Sequence, residues 1–142
     1  MAKQSSAQRV LAFDYGLRQI GVAVGNSGLG TSQPLTILKA RDGQPNWAEV
    51  TALCKEWEPD LLLIGDPLNM DGTVSDFAQR ARKFARRLEG RLGIAIEMVD
   101  ERLSSFEVKQ QQKDAGHSGD YHESPVDDLA AELILKDWLR QQ

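Results

Sequence analysis

Apolar positions recur along this chain at two different periods. Val10 to Phe13 is continuously apolar and Ile20 to Val24 nearly so, as expected of strands buried on both faces. The polar stretch between them carries Gly16, which predicts a turn and an antiparallel hairpin. Thr31 to Leu38 follows as a third strand, and its Pro34 suits an edge because it cannot donate to a ladder. The period then lengthens. Asn46 to Trp57 repeats apolar residues at helical spacing, "LLLIG" (61–65) is a short buried strand, and Thr73 to Leu88 is a second helix. Thr73 and Asp76 are placed as its capping box, with Phe77, Ala81, Phe84 and Leu88 as the inward stripe. "IAIEMV" (94–99) gives a fifth strand, and Ser104 to about Lys113 a further helix. After the polar loop "DAGHSGDYHES", Ser124 and Pro125 open a last helix running to Leu139. Three meandering strands followed by alternating helix and strand predict an α/β domain, a mixed five-stranded sheet covered on both faces.

Composition narrows the class. With 142 residues, 41% of them hydrophobic, the chain has the size of one domain with one core (1–142), of which residues 1–8 are expected to be a flexible lead. No stretch approaches the roughly 20 apolar residues of a membrane span, and nothing resembles a signal peptide, so a cytoplasmic protein without membrane contact is expected. The single cysteine, Cys54, excludes a disulfide framework and a cysteine-based zinc site. A net charge of −4 argues against a polyanionic partner until its distribution is considered. Residues 76–91 hold Arg80, Arg82, Lys83, Arg86, Arg87 and Arg91 against only Asp76 and Glu89. Positive charge is thus concentrated on one element.

Three acids fall at chemically suggestive places. Asp14 ends the first strand, Glu101 follows the fifth in "VDERLSS", and Asp127 sits in the first turn of the last helix in "SPVDDLAAELIL". If strands one, four and five are parallel neighbours, the ends of one and five open on the same sheet edge, and the last helix can bring its N-terminus there. Three carboxylates so gathered repel one another unless a cation is present. Oxygen-only ligands suit Mg²⁺ or Mn²⁺. Two such ions ~4 Å apart can activate a water and stabilise the leaving oxygen of a phosphodiester. Each acid also has a plainer reading: hairpin chemistry for Asp14, a charged helix entry for Glu101, and a complement to the helix dipole for Asp127.

Four segments in order, "FDYGLRQIGVAVG", "GDPLNMDGT", "DERLSS" and "VDDLAAELIL", resemble the YqgF family over about Val10 to Leu139. These are RNase H-like proteins related to the RuvC Holliday-junction resolvase and identified as nucleases that mature the 5′ end of precursor 16S rRNA. The resemblance implies an RNase H-like fold, catalytic acids at Asp14, Glu101 and Asp127, and precursor rRNA or ribosomal precursor particles as partners. Asp66 departs from that pattern, where an apolar residue is expected at the end of strand four. It is either a turn residue before Pro67 or an extra ligand.

Phosphate contacts are expected from four places. Arg18 and Arg102 lie beside two of the acids. "PLNMDGT" (67–73), with Asn69 and Gly72, leads into a helix N-terminus whose N–H groups suit an anion. Arg80, Lys83 and Arg87, with Arg91, form a ridge along the second helix that suits a nucleic-acid backbone or, alternatively, a solvated face. His117 and His122 lie in the polar loop, where an exposed histidine is the ordinary case. The leading expectation is a metal-dependent endonuclease on structured RNA, monomeric or homodimeric. Cleavage of branched DNA, which needs two sites related by two-fold symmetry, is the alternative within the same chemistry. A non-catalytic RNA-binding module is the rival from another class. An ATPase of the sugar-kinase and actin type also opens on Asp-x-Gly, but it needs two lobes that this length does not supply.

Overall fold

The computed structural model describes residues 8–67, 69, 71–100 and 128–142. Three strands open it: β1 (Arg9–Asp14), β2 (Gln19–Asn26) and β3 (Thr31–Arg41), each antiparallel to the one before. A two-residue β4 (Gln44–Pro45) pairs with the end of β3, and α1 (Trp47–Trp57) follows. Then come β5 (Leu61–Asp66), α2 (Asp76–Leu92), β6 (Ala95–Asp100) and α3 (Asp128–Arg140). The sheet order is β4-β3-β2-β1-β5-β6, with β1, β5 and β6 parallel. It has six strands rather than the expected five. The extra one is β4, too short to leave a periodic signal.

Alternation along the strands sorts the core into two layers. Leu11, Phe13, Ile20, Val22, Leu62 and Ile64 face Val50 and Cys54 of α1 and Ala81, Phe84 and Leu88 of α2. Val10, Ala12, Ala23, Leu61, Leu63 and Val99 face the other way, against Ala131, Ile134, Leu135 and Trp138 of α3. Every residue of β5 is buried, which accounts for its unbroken apolar run.

Several boundaries shift for local reasons. Pro34 sits where the β2–β3 register slips between Val22 and Ala23, so β3 continues past it to Arg41. Helix α2 starts at Asp76, not at Thr73. Ser75 is its cap, its side chain accepting from the Ala78 N–H, while the Thr73 hydroxyl donates to Asp71. The sequence-predicted helix over residues 104–113 and the polar loop after it lie outside the described residues.

Candidate active site

Because β1, β5 and β6 are parallel, their last residues open on one edge of the sheet. Asp14, Asp66 and Asp100 end those strands, with Asp66 paired in register to Asp100. Asp66 and Asp100 share a face, and Asp14 lies on the other. Asp14 follows Val10 and Ala12 in parity and belongs to the face that α3 covers. It is half-buried, and its register partner on β2 is Gly21, which contributes no side chain over it. Asp66 follows Leu62 and Ile64 and points to the α2 side.

There Asp66 is engaged by one cation. Arg82 donates through Nε to Oδ1 at 3.2 Å and through Nη2 to Oδ2 at 2.8 Å, a bidentate pair. The hydrogen bond to Asp66 and its negative charge push the Arg82 guanidinium pKa still higher. Asp66 is no turn residue: it is the buried end of β5, tied to α2 through Arg82. The Asp14 backbone is braced from the other side. Tyr15 is buried among Phe77, Phe84 and Gly43, while the β3–β4 turn holds the β1–β2 turn through Gly43 N–H to Leu17 C=O and Ala40 N–H to Arg18 C=O.

The expected phosphate contacts separate on inspection. Arg18 is exposed in the β1–β2 turn, beside Asp14 in the chain. The loop of Asn69 and Gly72 is closed on itself. The N–H of Asn69 donates to Thr73, that of Gly72 to Asn69, and that of Thr73 to the Asp71 carboxylate. Those three donors are therefore taken, and an anion cradle built on them is not what the loop presents. On α2, Arg80 is paired with Asp42 at 3.0 Å. Lys83, Arg86 and Arg87 have no acidic partner among the described residues, and Arg91 lies over the Trp47 ring at 4.4 Å. Glu101, Arg102, His117, His122 and Asp127 lie outside the described residues. Among the described residues, no three His, Cys, Asp or Glu side chains gather as a metal site.

Two residues of the Asp14 face escaped the sequence reading. Gln19 and Lys39 are register partners on β2 and β3, and parity sets both on that face. Only strand pairing reveals this, since neither belongs to an acidic or glycine-rich motif.

A mixed sheet with three parallel strands along one side, a leading antiparallel meander and helices on both faces defines a RuvC-like α/β domain. The solved structures agree: RuvC of T. thermophilus in complex with a Holliday junction substrate superposes with a TM-score of 0.53 at 15% identity, covering 94% of this chain and 96% of that one. A fowlpox virus resolvase bound to Holliday junction DNA gives 0.50 at 11% identity. The chain belongs to the RuvX family, described as Holliday junction resolvases, whose family model matches residues 8–141. Among its relatives, a protein of Marinobacter nauticus named "Putative pre-16S rRNA nuclease" is 53% identical over 95% of this chain and 94% of its own length. One of the same name from Pseudomonas aeruginosa is 47% identical over 99% of this chain and 98% of its own.

Proposed function

We propose that this protein is an endonuclease that processes the 5′ end of precursor 16S rRNA in the cytoplasm, hydrolysing a phosphodiester at Asp14, Glu101 and Asp127. The observation that carries the reading is near-full-length identity of about one half to relatives named for that activity. The RuvC-like fold, with Asp14 at the carboxyl edge of its sheet, supports it.

The donor set fits a hard cation. Asp14 offers carboxylate oxygens, as do Glu101 and Asp127, and the single cysteine, Cys54, is buried on the inner side of α1. Such a set suits Mg²⁺ or Mn²⁺, bound as two ions, and bound ions would supply charge stabilisation and an activated water. The chain's own part is to fix the Asp14 carboxylate at the end of a paired strand, where its neighbour Gly21 adds no side chain. The basic flank of α2 adds a sequence-independent hold on the nucleic-acid backbone.

A second reading is cleavage of a four-way DNA junction, favoured by the family's description and by the fold of junction-bound RuvC. The two separate in one assay. Purified protein is given a precursor 16S rRNA fragment and a four-way junction, each with Mn²⁺, Mg²⁺ or EDTA, beside Asp14→Asn. Metal-dependent cutting of the rRNA at a defined position, lost in Asp14→Asn, is expected. Cutting confined to the junction would move the assignment to branched DNA, and cutting of neither would leave a binding module.

A further inference from the structure

Two buried side-chain atoms lack a hydrogen-bond partner among the described residues, Trp57 Nε1 and Gln19 Oε1. Trp57 ends α1 at the amino edge of the sheet, where its carbonyl accepts from Arg9 at the start of β1. Gln19 lies at the other end, beside Asp14. Ile20 and Val22 point into the α1 and α2 layer, so Gln19 and Gly21 point to the opposite face, which Asp14 shares. Since Asp14 is paired with Gly21, Gln19 is its diagonal cross-strand neighbour, roughly 7–8 Å away. Gly21 places no side chain between them. Lys39, exposed, stands directly across from Gln19 on β3, yet its ammonium does not serve the Gln19 oxygen.

A buried amide oxygen without a donor is costly, and an apolar side chain of the same shape would remove the cost. Its position beside the candidate catalytic carboxylate indicates a donor that arrives with the substrate. Phosphate oxygens donate nothing. Within the sugar–phosphate chain of a nucleic acid the one donor is the ribose 2′-hydroxyl, which is also what distinguishes RNA from DNA. We propose that Gln19 Oε1 accepts a hydrogen bond from the 2′-hydroxyl of the nucleotide held at Asp14, with Lys39 on the neighbouring phosphate. Gln19 is then a specificity residue for RNA. This rests on the RNA reading above.

The test is binding rather than turnover. Labelled RNA and DNA strands of one sequence are titrated by fluorescence anisotropy in Ca²⁺, with wild type, Gln19→Leu and Gln19→Met, and each free protein is melted. Wild type should favour RNA. Both variants should lose roughly tenfold on RNA, the value of one hydrogen bond of ~1.4 kcal/mol. Their DNA affinity should be unchanged, and their melting temperatures should match or exceed that of wild type. An RNA-to-DNA ratio unchanged in Gln19→Met overturns the inference, whatever that variant's melting temperature. A wild type without preference for RNA overturns the RNA reading itself, and the inference with it.

Discussion

Tyr15 shows how closely a neighbour of the candidate catalytic residue is specified. Its ring lies 5.5 Å from Phe77 and 5.2 Å from Phe84, and its hydroxyl covers Gly43, whose φ of 80° lies in the left-handed region. A Cβ at Gly43 would overlap that hydroxyl. Gly43→Ala should therefore cost about 2–4 kcal/mol in urea unfolding, from strain and overpacking together. Adding Tyr15→Phe should recover part of the loss, because the overlapping oxygen is gone. Burial raises the Tyr15 phenol above its ordinary value of 10.0, with opposing pulls from Arg80 and Arg87 and a further push from Asp42. A raised folded pKa means that the unfolded chain gives up its proton first. The Tyr15 contribution is thus complete below about pH 10 and is lost as pH climbs through the folded value. Melts across that range should show an alkaline decline that Tyr15→Phe flattens. Asp66 and Arg82 make a related case. Removing Arg82 alone strands a buried carboxylate, so Arg82→Met should melt lower than Asp66→Leu with Arg82→Met together.

At the scale of elements, legibility followed periodicity. Strand β5 was plain because all its positions are apolar, and α1 ends at Trp57 as its spacing predicts. Helix α2 starts three residues after the capping box that its sequence suggests, because the Thr73 hydroxyl is committed to Asp71 and Ser75 takes the cap. Strand β3 runs to Arg41 rather than Leu38 because Lys39 still pairs with Gln19 of β2 and Ala40 and Arg41 pair with β4. Asp14 could be placed from sequence alone, since it closes a buried run. The face of Asp66 could not, because that depends on parity against β1 across a gap of fifty residues. The α2 ridge divides likewise. Arg80 is paired with Asp42, whereas Lys83 and Arg87 have no acidic partner among the described residues. Changing Lys83 and Arg87 to Gln should weaken RNA binding and reduce the salt slope by about 0.7 per lost contact, with Arg80→Gln the lesser effect. Equal slopes in filter-binding titrations would make the ridge a solvated face. On α3, the buried arc runs over Ala131, Ile134, Leu135 and Trp138. The sequence predicts that this helix opens at Ser124; at 100° per residue, position 127 would then fall ~30° from the centre of that arc and position 128 ~70°. Asp127→Asn should abolish cleavage with RNA binding kept, and Asp128→Asn should leave most activity. Equal activity in the two would remove Asp127 from the ligand set.

For the molecule as a whole, the proposed function would divide two tasks between the faces of the sheet. One face carries Asp14, Gln19 and Lys39, and α2, with its basic flank, packs on the other. Chemistry and long-range attraction are therefore independently adjustable. Charge changes on α2 should alter association and salt response while leaving the single-turnover rate of bound RNA unchanged. Excess chelator should do the reverse, stopping the cut while much of the salt-dependent binding survives.

The layer closed by α3 joins residues far apart in the chain. Ser32 donates to Glu132, and a Cβ at Gly25 would strike Leu135. In the order of synthesis, the meander of β1 to β3 is complete about a hundred residues before the helix that covers it. Until then, among the described residues, Val10, Ala12 and Ala23 share that side only with Leu61, Leu63 and Val99 of the sheet itself, however well the opposite layer has formed. A ribosome stalled short of α3 would display a bare apolar sheet, the kind of surface that holding chaperones bind, and release would wait on the last helix.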